Sequence, residues 1–235
     1  MIFKLKQFNL KQSDSMQKMG SDSMLLGASV EGTYKQILDV GTGTGILALM
    51  MAQKNTNANV TAIEPHGLSF NEAKFNFEQS QYSKRLEIAN CKLQTFNTTQ
   101  KFDLIISNPP YYENSTLSHK NNRNSARHTI DLPIIEFYKY TSQLLAEKGK
   151  IHLIFPSDLQ AKHLQFAKQF GLFPKKIINV VKENKKIIRN IITFSFNEVS
   201  TIQTDDIIIS LTNGKYSNKY IELTKDFYAH DLSKK

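Results

Sequence analysis

Short β-branched, apolar runs alternate along the chain with segments of helical character. The runs typical of strands are residues 36–40, 59–64, 86–89, 102–106 and 150–155. The helical segments between and after them are residues 46–54, 67–79, 134–147 and 158–170. Strands that are apolar throughout and separated by helices predict a mostly parallel sheet with both faces covered. The pattern therefore predicts a doubly wound α/β fold.

The pattern changes in the last third of the chain. Two β-rich runs, residues 177–181 and 187–196, are joined only by the polar link Lys-Glu-Asn-Lys-Lys. A link this short connects antiparallel strands, because a parallel crossover needs a dozen or more residues. We therefore predict a sheet that ends in a C-terminal antiparallel hairpin. A length of 235 residues suits one domain with a large core, so we expect residues 1–235 to form a single domain.

A glycine-rich turn joins the first predicted strand to the first helix. Gly41, Gly43 and Gly45 allow a tight turn and a close approach to a ligand, and the helix that follows offers free backbone N–H groups. A dinucleotide-binding turn of the pattern G-x-G-x-x-G would place its third glycine at position 46, where this chain has Ile46. The three glycines alone are also compatible with a tight turn that binds nothing.

Two acidic residues accompany this turn. Asp39 lies inside the strand that precedes it, an unfavourable place for a carboxylate unless backbone amides or a cation bind it. Glu64 closes the next strand, where an acid can accept hydrogen bonds from two ribose hydroxyls. Glu64 taken alone is equally compatible with a structural role. The glycines and the second-strand acid together predict an adenosine-containing cofactor.

Residues 39–45, Asp-Val-Gly-Thr-Gly-Thr-Gly, resemble the first motif of class I S-adenosylmethionine-dependent methyltransferases. The resemblance implies a Rossmann-like, seven-stranded sheet and S-adenosyl-L-methionine as cofactor. It implies that the glycine turn, with Gly41 and Gly43, lies against the methionine part and that Glu64 holds the ribose. Asn90, which follows the third strand, is the candidate for the adenine amino group. The full set expected around the cofactor also contains Asp39, Gly45 and Asn108.

The residues after the fourth strand match the motif [DNS]-P-P-[YFW] of methyltransferases that modify amino groups. The matching residues are Asn108, Pro109, Pro110 and Tyr111. The exocyclic nitrogen of adenine is a poor nucleophile, so its protons must be drawn by acceptors as the methyl group arrives. Asn108 Oδ1 and the Pro109 carbonyl oxygen can be those acceptors, and Tyr111 can stack on a flipped base. A stiff turn with a core tyrosine is the structural alternative, and Ser107 and Tyr112 have no assigned role.

The N-terminal segment resembles bacterial tRNA(Val) adenine-N6 methyltransferases, in which KQF, K-x-G-[ST]-D and LLG precede the first motif. The positions that match are Lys18, Gly20, Ser21, Asp22, Leu25, Leu26 and Gly27. The resemblance implies that residues 1–35 cap the cofactor site, with Lys18, Gly20 and Asp22 at its methionine end. The alternative is a helix that Ser21 or Asp22 caps and that packs its apolar residues, Met24 to Leu26, into the core.

A polar, basic loop, residues 114–128, follows the catalytic motif and ends in Ala-Arg-His, as it does in that family. Its candidate contacts to tRNA are Lys120, Arg123, Arg127 and His128. Cations beside the base pocket would bind RNA phosphates. A net charge of +9 and a pI near 9.4 suit such a polyanionic partner, although a basic, solvated surface is the simpler interpretation. His128 is equally compatible with a helix cap or a core position.

Cysteine and hydropathy patterns restrict the environment of the chain. Cys91 is the only cysteine, which excludes an intrachain disulfide and a thiol framework for zinc. No stretch approaches the ~18 apolar residues of a membrane span, and the N-terminus lacks the apolar core of a signal peptide. We expect a cytoplasmic protein without metal or membrane association. Its oligomeric state is open, and a monomer is assumed.

The resemblance implies N6-methylation of the adenosine just 3′ of the anticodon, position 37, most closely that of tRNA1(Val). Other amino-group targets stay open: adenine in rRNA or DNA, or a glutamine of a release factor. DNA enzymes usually carry a recognition domain and release-factor enzymes an N-terminal helical domain, whereas only 38 residues precede Asp39 here. A non-catalytic RNA-binding protein with a cofactor fold is an alternative of another class. A nicotinamide oxidoreductase is disfavoured by Ile46.

Overall fold

The structure, a computed structural model, describes residues 1–13, 19–109 and 132–234. Its strands are β1 (Ile2–Lys4), β2 (Asn9–Lys11), β3 (Gln36–Val40), β4 (Asn59–Ile63), β5 (Leu86–Ala89), β6 (Phe102–Ser107), β7 (Leu145–Pro156), β8 (Phe173–Val181), β9 (Ile187–Ser195) and β10 (Gln203–Ile208). The α-helices in the same residues are α1 (Ser21–Ser29), α2 (Ile46–Lys54), α3 (Gly67–Glu78), α4 (Ile134–Leu144), α5 (Gln160–Gln169) and α6 (Asn218–Thr224).

The main sheet has the strand order β10-β8-β9-β7-β6-β3-β4-β5. Strands β3 to β7 pair in parallel, β9 runs antiparallel to both β7 and β8, and β10 pairs in parallel with β8. The predicted doubly wound, mostly parallel sheet with an antiparallel hairpin is therefore confirmed. The predicted number of seven strands is wrong, because β10 makes the sheet eight-stranded. β10 contains Asp205 and Asp206 and is largely exposed at the sheet edge, so it lacks the apolar pattern of the other strands.

One predicted helix also ends earlier than expected. Residues 145–147 were expected to close the helix that begins at residue 134, but they belong to β7, and α4 ends at Leu144. The register between β6 and β7 shifts between Phe102 and Leu104, and Leu145 is the partner of Phe102. Gly149 lies in the irregular part, where a Cβ atom would come within 2.8 Å of the Phe102 carbonyl oxygen. The close approach of β6 explains why the sheet begins earlier than the helical pattern indicates.

Alternate residues of the central strands pack into two cores, one on each face of the sheet. In β3, Ile37 packs on the face covered by α1 and α2, whereas Leu38 packs on the face covered by α4 and α5. In β6, Leu104 and Ile106 belong to the first core and Ile105 to the second. This division is the physical reason for strands that are apolar throughout. None of the described helices has the length and apolar character to cross a membrane.

The N-terminal residues form a two-stranded ribbon, β1 and β2, that packs beside the main sheet. Asn76 of α3 fastens it: its Oδ1 accepts from the Lys11 N–H at 2.8 Å, and its Nδ2 donates to the Lys11 carbonyl at 2.9 Å. The same Nδ2 also donates to the carbonyl oxygen of Thr44 at 2.8 Å. One buried amide therefore joins the ribbon, α3 and the glycine turn. The N-terminal segment is thereby anchored close to the edge at which the candidate site lies.

Candidate active site

The glycine turn lies at the carboxyl edge of the parallel strands, where ligands of open α/β sheets bind. Gly41, Gly43 and Gly45 have φ angles of 71°, 58° and 86°, in the left-handed region that favours glycine. A Cβ atom on Gly45 would lie 2.5 Å from Phe77 Cε1, whereas one on Gly41 would meet nothing within 4 Å. Gly45 therefore serves the packing of α2 against α3, and Gly41 borders open space. Ile46 begins α2 and is buried, so it belongs to the core.

Glu64 follows β4 and is tied to the glycine turn by its carboxylate. Its Oε2 accepts from the Gly43 N–H at 2.9 Å, and its Oε1 accepts from the His66 N–H at 3.0 Å. The side chain is buried, with 4% of its surface exposed. A carboxylate that accepts two backbone N–H groups is held in one orientation and keeps further lone pairs for hydroxyl donors. This geometry fits an acid that both shapes the turn and binds a diol.

Asn90, directly after β5, lies beside Glu64 at the same edge. Its Nδ2 donates to the Glu64 carbonyl oxygen at 2.7 Å, and the residue is exposed. This bond uses the donor end of the amide and so determines its orientation. The ends of β4 and β5 therefore bring the predicted ribose and adenine residues together.

Asp39 is completely buried at the end of β3. Its Oδ2 accepts from the Thr42 hydroxyl and, at 3.1 Å, from the Ala48 N–H. Its Oδ1 has no hydrogen-bond partner among the described residues. Burial, opposed by those two donors and reinforced by nearby Glu64, raises the pKa of the Asp39 carboxyl from 3.8 to about 7. A buried oxygen without a partner beside a glycine turn is the feature that a cationic group of a ligand would satisfy.

The raised pKa of Asp39 predicts a pH-dependent effect of Asp39→Asn on stability without ligand. The folded protein keeps the proton up to about pH 7, whereas the unfolded chain loses it near pH 3.8, so ionisation of Asp39 lowers the free energy of unfolding as pH rises between these values. Asparagine stays neutral. The difference in free energy of unfolding is therefore expected to shift toward the variant by on the order of 4 kcal/mol between about pH 4 and pH 8, and to level off above pH 7.

Thermal or urea unfolding of both proteins across this range measures the effect. The Asn side chain keeps one oxygen for Thr42 and Ala48, so any loss of packing or hydrogen bonding contributes an offset that does not depend on pH. A difference between the two proteins that stays constant from about pH 4 to pH 8 would contradict a titrating Asp39.

Asn108 follows β6 and is held by the N-terminal helix. Its Nδ2 donates to Ser23 Oγ at 2.9 Å; Asn108 is 7% exposed, and so is Ser23. Ser107, the residue before it, donates from its hydroxyl to the Val40 carbonyl oxygen at 2.7 Å. The first bond fixes the plane of the Asn108 amide, and the second joins the ends of β3 and β6. Ser107, which had no assigned role in the sequence, is thus a structural link beneath the site.

Helix α1 supports the site through two contacts. Besides Ser23, it contributes Asp22, whose Oδ2 accepts from Arg189 Nε of β9 at 2.9 Å. Arg189 is opposite Pro156 at the carboxyl end of β7, so this ion pair lies at the same edge as Asn108. The sequence left open that this segment is a helix with its apolar residues in the core, and Met24 to Leu26 are indeed buried. The cap predicted for that helix is wrong, because Gly20 is the N-cap and neither Ser21 nor Asp22 caps the helix.

The structure brings together the predicted residues at the ends of four neighbouring strands. They are Asp39, Gly41, Gly43, Gly45, Glu64, Asn90, Asn108 and Pro109. Gly20 and Asp22 adjoin them through α1. The remaining predicted site residues lie outside the described residues: Lys18, Pro110, Tyr111, Lys120, Arg123, Arg127 and His128.

Three supporting residues were not found from the sequence. Ser23 orients Asn108, Asn76 joins the ribbon to the glycine turn, and Arg189 holds the start of α1. Each pairs with a residue more than 30 positions away in the chain, so no local pattern marks it. Only Arg189 carried a weak signal, as the single charged residue of its strand.

Solved methyltransferase structures superpose on this chain. A predicted O-methyltransferase, protein Atu636 from Agrobacterium tumefaciens, superposes with a TM-score of 0.68 at 18% identity, covering 89% of this chain and 98% of that one. A ribosomal protein L11 methylase from Lactobacillus delbrueckii subsp. bulgaricus gives a TM-score of 0.54 at 17% identity, covering 75% and 77%. With its sheet order and glycine turn, the chain has the Rossmann-like fold of class I methyltransferases.

Sequence comparison specifies the family. Residues 13–189 match the family model of the methyltransferase small domain. A Flavobacterium johnsoniae protein named tRNA1(Val) (adenine(37)-N6)-methyltransferase is 38% identical over 232 residues, covering 97% of this chain and 99% of its own. Proteins of the same name from Christiangramia forsetii and Bacteroides thetaiotaomicron are 36% and 34% identical, each over 233 residues. The first match covers 96% of this chain and 97% of the relative, and the second covers 97% and 98%. The chain belongs to this methyltransferase family, as the motifs predicted.

Proposed function

We propose that this chain transfers a methyl group from S-adenosyl-L-methionine to N6 of an adenosine in tRNA, at position 37 of tRNA1(Val). The observation that carries the proposal is the place of Asn108. It follows β6 at the same edge as Asp39 and Glu64, with its amide held by Ser23. The relatives named for this activity align with nearly the whole chain.

The residues around the glycine turn fit S-adenosylmethionine. Glu64 is held by two backbone N–H groups and can accept from the ribose hydroxyls. Asn90, whose Nδ2 is engaged by the Glu64 carbonyl, can accept from the adenine amino group through Oδ1. The partnerless Asp39 Oδ1 suits the ammonium group of the methionine part, and Gly41 leaves room beside it. The predicted contacts of Lys18, Gly20 and Asp22 to that part remain proposals.

The chemistry of Asn108 follows from its neutral amide. S-adenosylmethionine supplies an electrophilic methyl group on a sulfonium sulfur. Asn108 Oδ1 and the Pro109 carbonyl oxygen accept the two hydrogens of the adenine amino group, which turns the nitrogen lone pair out of the ring as the methyl group arrives. With the cofactor bound, the N–C bond would form as the methyl–sulfur bond breaks, and S-adenosylhomocysteine would leave as the neutral thioether. The methylated nitrogen would then lose one proton to water. Neither acceptor takes that proton, so the site acts by orientation and transition-state stabilisation without a general base. Tyr111 would stack on the flipped base, with Pro110 stiffening the turn.

Recognition of tRNA extends beyond the base. We propose that the loop of residues 114–128 contacts phosphates through Lys120, Arg123 and Arg127, with His128 beside them. A net charge of +9 supports a polyanionic partner. We further propose that residues 1–235 act as one domain, with residues 1–35 as a cap, in the cytoplasm.

The test is a methylation assay with labelled S-adenosylmethionine. Parallel reactions contain tRNA1(Val) transcript, the same transcript with adenosine 37 replaced by guanosine, 16S and 23S rRNA, duplex DNA or a release factor. We expect N6-methyladenosine only in the unaltered tRNA, identified after digestion to nucleosides. Label in rRNA, DNA or the release factor but not in tRNA would replace the substrate. Specific tRNA binding without transfer to any of these would favour the non-catalytic alternative.

A further inference from the structure

The turn between β8 and β9 places three lysines at the carboxyl edge of the sheet. Val181, the last residue of β8, pairs with Ile187 of β9, and β9 continues to Arg189, which lies opposite the end of β7. The turn of residues 182–186 between them contains Lys182, Lys185 and Lys186, and all three are exposed. In the sheet, β7 alone lies between β9 and β6, and both β9 and β7 lie between β8 and β6. The lysines therefore share an edge with Asn108.

The separation between this turn and Asn108 follows from the strand order. Going from β6 through β7 and β9 to β8 crosses three strand spacings of about 4.8 Å, so the turn lies roughly 10–15 Å from the end of β6 along the edge. This corresponds to roughly three to four nucleotides of a stacked strand, at about 3.4 Å each. A polynucleotide with one base at Asn108 can therefore reach the turn with a neighbouring part of its backbone.

The turn is shaped by its backbone and by its single acid. Lys182 N–H donates to the Lys186 carbonyl at 2.9 Å, and Lys185, at φ 65°, donates its N–H to the Lys182 carbonyl at 2.8 Å. Glu183 is directed to the neighbouring loop, where its Oε2 accepts from the Thr212 N–H at 2.7 Å. That loop contributes a further exposed lysine, Lys215. The acid thus holds two basic turns side by side.

The ammonium groups of Lys182, Lys185, Lys186 and Lys215 have no ion-pair or hydrogen-bond partner within the described ranges. Several other lysines of the described residues form ion pairs. They are Lys176 with Glu31, Lys219 with Asp205 and Lys225 with Glu222. A group of unpaired cations close to Asn108 keeps its full attraction for an anionic backbone.

We infer that the β8–β9 turn, residues 182–186, is a second phosphate-binding site for the tRNA substrate, separate from the loop of residues 114–128. The inference rests on the proposed function, because it takes RNA as the substrate. The turn supplies point charges to the sugar-phosphate backbone and reads no base, so it contributes affinity and orientation. Arg189, engaged by Asp22, lies between the turn and Asn108 and links the two sites through α1.

The experiment compares two triple variants of equal charge. Lys182→Gln, Lys185→Gln and Lys186→Gln remove the turn's cations. Lys84→Gln, Lys148→Gln and Lys168→Gln remove three exposed cations from the opposite, amino edge of the sheet. Fluorescence anisotropy of labelled tRNA measures Kd over a range of salt concentrations, in the absence of methyl transfer. Melting temperatures and Kd for S-adenosylhomocysteine check that both variants keep the fold and the cofactor site.

We expect the turn variant to raise Kd for tRNA about 10-fold or more and to reduce the slope of log K against log salt by about 2. The amino-edge variant should keep the wild-type slope. Single variants Lys182→Gln and Lys186→Gln, which leave the left-handed position intact, should each reduce the slope by roughly 0.7. A turn variant with wild-type Kd and slope, or a loss equal to that of the amino-edge variant, overturns the site.

The outcome separates this site from the proposed function. Binding that depends on the turn lysines in a protein that methylates no tRNA would refute the substrate and retain the phosphate site. Methylation of tRNA with a turn variant that binds as the wild type does would refute the site and retain the substrate. A wild-type protein without salt-dependent tRNA binding would overturn both.

Discussion

Asn108→Ala is expected to lower kcat for tRNA methylation by about 10²–10³-fold while Kd for S-adenosylmethionine stays within a few-fold of wild type. Loss of one preorganised hydrogen-bonding group in a transition state has this magnitude in other enzymes. The amide acts on the amino group as its nitrogen becomes tetrahedral, so its contribution belongs to the transition state and not to cofactor binding. Single-turnover kinetics with saturating tRNA measure the chemical step, and calorimetry measures cofactor affinity.

Ser23→Ala is the matched control for Asn108→Ala. Both variants lose the 2.9 Å hydrogen bond between Asn108 Nδ2 and Ser23 Oγ, but only the alanine at 108 loses the acceptor oxygen. We expect Ser23→Ala to lower kcat by no more than about 10-fold, the effect of one hydrogen bond that orients a neutral group. Equal losses in the two variants would show that the bond to α1, and not the acceptor, carries the effect. An unchanged kcat for Asn108→Ala would remove it from the mechanism.

The sequence predicted the parts of the fold that depend on local pattern. Strands β3 to β6 and their intervening helices follow from apolar runs and helical periodicity, because burial on both faces makes most positions of such strands apolar. The glycine turn was predictable for a similar reason. Its positive φ angles exclude other residues almost entirely, so the glycines in the sequence directly indicate this backbone conformation.

Features set by distant contacts were not predictable. Two of the six residues of β10 are acidic, and the segment forms a strand because it pairs with the edge of β8, not because of its own pattern. Leu145 belongs to the sheet although the helical pattern extends to it, because it pairs with Phe102 of β6. The support of Asn108 by Ser23 and of the glycine turn by Asn76 likewise depends on pairs far apart in the chain. The residues that bear on the chemistry could be named from motifs, whereas those that hold them in place could not.

Glu64→Ala is expected to weaken S-adenosylmethionine binding by about 100-fold or more, the loss of two hydrogen bonds to a charged acceptor at roughly 1.5–3 kcal/mol each. The variant also leaves the N–H groups of Gly43 and His66 without their acceptor, so its melting temperature should fall. Glu64→Gln should be nearly as weak, because its NH₂ group would face one of those two N–H donors. Glu78→Ala, which removes an exposed carboxylate from the end of α3, should leave both quantities unchanged.

A loss of affinity alone does not distinguish contact with the ribose from collapse of the turn. The distinguishing measurement is the ratio of Kd values for S-adenosylhomocysteine and its 2′-deoxyribose analogue. If Glu64 accepts from the ribose diol, the wild-type protein should prefer the ribose form by about 10-fold, and Glu64→Ala should bind both equally, because no acceptor remains to sense the missing hydroxyl. A variant that binds more weakly but keeps the wild-type ratio would restrict Glu64 to holding Gly43 and His66. The ribose would then be bound by another group.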